Sequence, residues 1–147
     1  MKDSDISIVI MLHRLNHHMY NRHNEILSEH DITVQQSRVL KYILSDSKKQ
    51  FVNQKDIENA MNLKGSSVSS LIKTMIDKGL IVKSQNPLDG RYYNLTVTEK
   101  GKEIDKIAFN IFKEFNVNLI NGINENVLNH FKDFFSESFF FFFCNDY

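Results

Sequence analysis

Ser66, Ser67, Ser69, Ser70 and Lys73 crowd a stretch in which Val68, Leu71, Ile72, Met75 and Ile76 recur at helical spacing. If that apolar stripe is buried, the serines, Lys73 and Thr74 face outward. Small hydroxyls hydrogen-bond phosphates and base edges without holding a backbone away, and a lysine one turn along adds positive charge. An idle solvent face could also be filled with serine. Serine is only a middling helix former, however, which makes four of them on one short helix harder to dismiss. A second group follows at Asn86-Pro87-Leu88-Asp89-Gly90-Arg91. Pro87 and Asp89-Gly90 supply turn chemistry, and an arginine just beyond a tight turn can enter a narrow minor groove. Asp89 stands two residues before Arg91 and can hold its guanidinium by a charge-assisted bond. Its plainer role is that of an ordinary Asp-Gly hairpin turn beside a solvated arginine.

These residues need elements to position them. Asn53 is a good helix N-cap, with Asp56 at the third position, and Ile57, Ala60 and Met61 are expected to face inward. Asn62 to Gly65 makes a turn, Ser66 opens the next helix, and Gly79 sits where a left-handed cap is wanted. Leu80-Ile81-Val82 and Tyr92 to Val97 read as the strands of a hairpin, and Phe51-Val52 as a short strand able to join it. The order is helix, turn, helix, strand, turn, strand. It is the order of a winged helix-turn-helix, whose second helix lies in the major groove.

Helices flank this unit. Ile8, Leu12, Leu15 and Met19 form one stripe on a helix that fades near Glu29 to Asp31. Thr33 and Gln36 fit a capping box opening a helix with Val39, Leu40, Ile43 and Leu44 on its core side, before a polar loop from Ser45 to Gln50. Thr98 caps a long region carrying Ile104, Ile107, Ala108, Ile111, Phe112, Phe115 and Leu119. Gly122 to Asn124 interrupts it, and Val127, Leu128, Phe131, Phe134 and Phe135 resume the pattern. Phe139 to Phe143 is apolar on every side of a helix and departs from these stripes, so it carries no part of the functional reading.

The chain has 147 residues and zero formal net charge, unevenly spread. Residues 38–106 hold 13 Lys/Arg against 8 Asp/Glu, while both ends are acidic. A basic centre between acidic ends suits a phosphate partner. No apolar stretch reaches the length of a membrane span, and no secretory signal is visible at the N-terminus. Cys144 is the single cysteine. Together these point to a cytoplasmic protein. A glycine-rich phosphate loop, a nucleophile elbow and a paired-histidine hydrolase motif are all missing, so no enzyme and no catalytic residue are expected.

From about Ser4 to Phe135 the chain resembles the MarR family of bacterial transcription regulators. The matching segments are Ser67-Val68-Ser69 through Lys78-Gly79-Leu80-Ile81, Asp89-Gly90-Arg91, and Leu95-Thr96-Val97-Thr98-Glu99-Lys100-Gly101. The resemblance implies one mainly α domain with a small β-wing: dimerisation helices at about 5–31 and 98–138, a winged helix-turn-helix at about 33–97, and an atypical tail at 139–147. It implies a homodimer gripping a pseudo-palindromic operator in double-stranded DNA, most often as a repressor released by a small aromatic ligand. Ser66 to Lys73 would be the recognition face, and Asp89 with Arg91 the wing pair. No cofactor is implied. Cys144, in the tail, lacks an activating partner for redox sensing. His13 and His17, four apart on one helical face, are the candidates for a zinc-responsive alternative, though such histidines also simply solvate a dimer seam. The other alternative is a winged-helix adaptor that docks proteins without DNA.

Overall fold

A computed structural model describes residues 3–45 and 51–143, except the side chains of residues 3–6, 8, 135 and 137–143. Residues 46–50 of the expected polar loop and Cys144 lie outside the described residues. The elements run α1 (Asp3–Ser28), α2 (Val34–Ser45), α3 (Gln54–Met61), α4 (Gly65–Asp77), β1 (Ile81–Gln85), β2 (Tyr93–Val97), α5 (Glu99–Ile120) and α6 (Glu125–Phe143). The fold is mainly helical with one two-stranded antiparallel sheet. The backbone divides into two compact units, residues 1–111 and 112–147.

In the first unit, most of the expected helix punctuation has a visible bond. α1 ends at Ser28, and the Asn24 side-chain oxygen accepts from the Val34 N–H at 2.9 Å, fastening the start of α2. Thr33 and Gln36 make a reciprocal capping box, with bonds of 3.1 and 3.2 Å. Asn53 and Asp56 repeat that device on α3 at 3.1 and 2.9 Å. Asn62 closes α3 in the left-handed region. α4 begins at Gly65, one residue before the expected Ser66, with Lys64 as an N-cap that makes no side-chain bond. Gly79 takes φ +69°, and the bonds Gly79 N–H to Ile76 O and Leu80 N–H to Met75 O end α4 as a left-handed cap.

The hairpin pairs Ile81 with Val97 through Gln85 with Tyr93. β1 therefore extends three residues past the Val82 end expected from its apolar run, because pairing with β2 continues through the polar Lys83, Ser84 and Gln85. Val52 bridges Leu95, whose N–H donates to the Val52 carbonyl at 2.8 Å, so the short third strand is a single bridge. Thr98 caps α5 through the Gly101 N–H and donates its own hydroxyl to Gly79 O at 2.7 Å. A Cβ on Gly101 would collide with Leu80 O and come within 2.6 Å of Val97 Cγ1. Thr98 and Gly101 thus make the junction where α4, β1 and α5 meet.

Leu27, Val39, Leu40, Ile57, Val68, Met75 and Ile81 are fully buried in the first unit. Each contributes about 1.5–3 kcal/mol of apolar burial. Two positions expected inside are not: Ala60 and Leu44 are exposed, while Met61 and Ile43 are half-buried. Both exposed residues sit near the last turn of their helix, where the stripe has run past its cover. In the second unit, α5 ends at Ile120 and Gly122 turns the chain with φ +83°. Asn124 then accepts from the Asn126 N–H at 2.9 Å to open α6. Its helical backbone runs to Phe143, through the phenylalanine run.

Candidate nucleic-acid interface

α4 offers one buried and one open face. Val68, Ile72 and Met75 anchor it to the core, with Leu71 and Ile76 half-buried beside them. Ser66, Ser67, Ser69, Ser70, Lys73 and Thr74 are all exposed, as the spacing requires. Gln54 fixes the start of the helix by donating to Gly65 O at 3.4 Å and to Glu58 Oε1 at 3.0 Å. Glu58 also receives Lys55 Nζ at 2.9 Å, and these two bonds hold its carboxyl below the usual range, Lys55 contributing most.

The wing tip is tied by side chains. Asn86 Oδ1 accepts from the Leu88 and Asp89 N–H groups at 2.8 and 3.3 Å, an Asx turn that shapes the loop. Asn86 N–H donates to Tyr92 O at 2.9 Å, and Gln85 Nε2 to Gly90 O at 3.0 Å. Asp89 and Arg91 meet as their spacing predicts. Arg91 Nε donates to Asp89 Oδ1 at 3.1 Å and Arg91 Nη2 to Asp89 Oδ2 at 2.9 Å, a bidentate fork. The fork, with the Arg91 backbone N–H as a second contribution, lowers the Asp89 carboxyl below its ordinary value. Arg91 remains 86% exposed, so it is aimed and still open to a partner.

The structure adds residues that spacing alone does not single out. Lys83 Nζ lies 4.4 Å from the centroid of the Tyr93 ring, a diagonal cation–π pair across the two strands. Lys55, Lys83, Arg91, Tyr92 and Tyr93 line a groove of about 260 Å³ between α3 and the wing. With β1 read as ending at Val82, Lys83 falls into the turn and its pairing cannot be foreseen. The strand register is the missing signal.

His13 and His17 are both exposed on α1, and His17 Nε2 accepts from Asn21 Nδ2 at 2.9 Å. Among the described residues, no three His, Cys, Asp or Glu side chains are grouped to hold a metal ion. Among the same residues, no helix is long and apolar enough to cross a membrane.

A two-helix unit with an open polar face on its second helix, followed by a hairpin with an aimed arginine, defines a winged helix-turn-helix. The MarR family model matches residues 30–91, which span that unit up to Arg91. SarZ, an HTH-type transcriptional regulator of Staphylococcus aureus (strain USA300), is 26% identical over 122 residues, covering 80% of this chain and 79% of SarZ. The solved complex of Staphylococcus aureus MepR with DNA superposes with a TM-score of 0.75 at 23% identity, covering 87% of this chain and 91% of MepR. CouR from Rhodococcus jostii RHA1, solved with p-coumaroyl-CoA, gives 0.72 at 23% identity, covering 87% and 88%. SarZ and MepR are transcription regulators and not enzymes.

Proposed function

We propose that the chain is a cytoplasmic, sequence-specific regulator that binds double-stranded DNA as a homodimer and represses transcription from a pseudo-palindromic operator. The observation that carries this reading is the pairing of two open, prearranged features. One is the serine-rich outer face of α4, and the other is the forked Asp89–Arg91 pair at the wing tip. Ser66, Ser67, Ser69, Ser70 and Lys73 contact major-groove edges and phosphates, and Arg91 enters the adjacent minor groove. The solved MepR–DNA complex supports the same use of a similar fold.

Two copies are needed to read a two-fold operator. Val9, Ile10, Met11 and Leu15 on α1 are 43–69% exposed in the single chain. In the second unit Val117, Ile123 and Val127 are 45–55% exposed. A second copy that covers them removes apolar surface from water. A small aromatic ligand, for which the p-coumaroyl-CoA complex of CouR is the support, releases the DNA.

The test is a mobility shift with duplex DNA from upstream of the chain's own gene. Binding is expected at low salt and should weaken steeply as ionic strength rises, because bound phosphates release counterions. No binding at low salt would leave a protein-docking module as the better reading.

A further inference from the structure

Lys78 belongs by sequence to the basic centre, yet it does not join the open face. Its side chain is only 23% exposed, and its ammonium lies 3.0 Å from Asp31 Oδ1 and 3.5 Å from Gln36 Oε1. The Asp31 main-chain oxygen is a third acceptor. An ammonium has three donors, and three acceptors surround this one. All three belong to the α1–α2 corner: Asp31 holds a left-handed backbone at φ 54°, and Gln36 is the return arm of the Thr33 capping box.

The donor's own backbone ends α4. Lys78 directly follows the last residue of α4, and its carbonyl accepts Lys100 Nζ at 2.8 Å. The next two carbonyls, of Gly79 and Leu80, accept the Thr98 hydroxyl at 2.7 and 3.1 Å. The C-terminal end of α4 is therefore held from two directions, by the α1–α2 corner and by the start of α5. Charge attraction is the smaller share of the first hold, since Asp31's carboxylate is 85% exposed and well screened. The main-chain acceptor and the capped Gln36 supply the geometry.

We infer that Lys78 is a positioning residue, a strut that sets the angle of α4 by fixing its end to the α1–α2 corner. Movement of that corner re-aims the serine face, and loss of the strut uncouples the two. The consequence for DNA rests on the function proposed above; the strut itself does not. Two measurements on the full chain separate them.

In hydrogen exchange, Lys78→Met should speed exchange of amides 29–32 and 78–80 together while Ile57 and Val68 keep their protection, and Lys78→Arg should restore most of it. Unchanged exchange at 29–32 would overturn the strut. In titration of duplex DNA from upstream of the gene, Lys78→Met should weaken binding about tenfold. The salt dependence should match that of the unaltered chain. A salt slope smaller by about one would instead make Lys78 a phosphate contact and overturn the inference. If the unaltered chain binds no duplex, the DNA reading fails, and hydrogen exchange alone decides the strut.

Discussion

Residues 27–108 and the helical ends of the chain are equally well written as helices and strands, but they differ in what covers them. Among the described residues, every buried apolar side chain lies between Leu27 and Ala108. Among the same residues, the first two-thirds of α1 and the segment from Phe109 onward bury none. Local signals do not explain this difference. Asn124 caps the start of α6 with a side-chain bond as Asn53 caps α3, and the stripe of α1 is as regular as that of α4. What differs is that the central stripes find cover within the same chain. A helix can thus be fully specified by its own residues while its burial depends on a surface supplied from elsewhere.

The comparison can be broken most forcefully in the centre. Leu40 is fully buried, and Leu40→Ala should lower unfolding free energy by about 3 kcal/mol in urea titration. A loss no larger than that of an exposed-site control such as Leu88→Ala would refute the central core. Next, Gly101→Ala should cost about 2 kcal/mol, because the new methyl meets Leu80 O and Val97 Cγ1 at the junction. Wild-type stability in that variant would remove the junction from the account.

At the ends the expected effect is on association. Sedimentation at micromolar concentration should give a dimer, and Val9→Asp with Met11→Asp should convert it to a folded monomer. A native monomer, or a dimer indifferent to those charges, would end the role given to α1. On the open face, Arg91→Ala should weaken duplex binding about tenfold while leaving the dimer folded. Unchanged affinity would take the wing out of the reading.

The smallest effect concerns pH. Burial lowers the pKa of His23 from its ordinary value near 6.5. The unfolded chain therefore takes up this proton first as pH falls. The contribution to stability is complete above 6.5 and declines below it. His23→Gln should flatten that part of the stability–pH profile; an identical slope in the variant would contradict the assignment.

Much of the candidate interface was legible from residue order. The outward set on α4 follows from the apolar spacing of Val68, Ile72 and Met75, and the Asp89–Arg91 fork from two residues on one tight turn. Both are local, reaching no farther than a helical turn or a loop. Lys83 and Lys78 were not legible, because their partners lie across a strand pair or 47 residues away. Counting charge placed both lysines in one basic centre. The fold divides them, one at the groove and one turned inward.

By itself the sequence determined where the capping residues of α3 and α5 stand, which face of each helix is apolar, and which turn carries the arginine. Caps, periodicity and turn chemistry act over a few residues, and that is why they can be read in order. Only the tertiary structure decided how far β1 extends, that Gly101 must lack a side chain, and which basic residues remain open. Those outcomes depend on atoms brought together from distant parts of the chain, whose meeting no local spacing encodes.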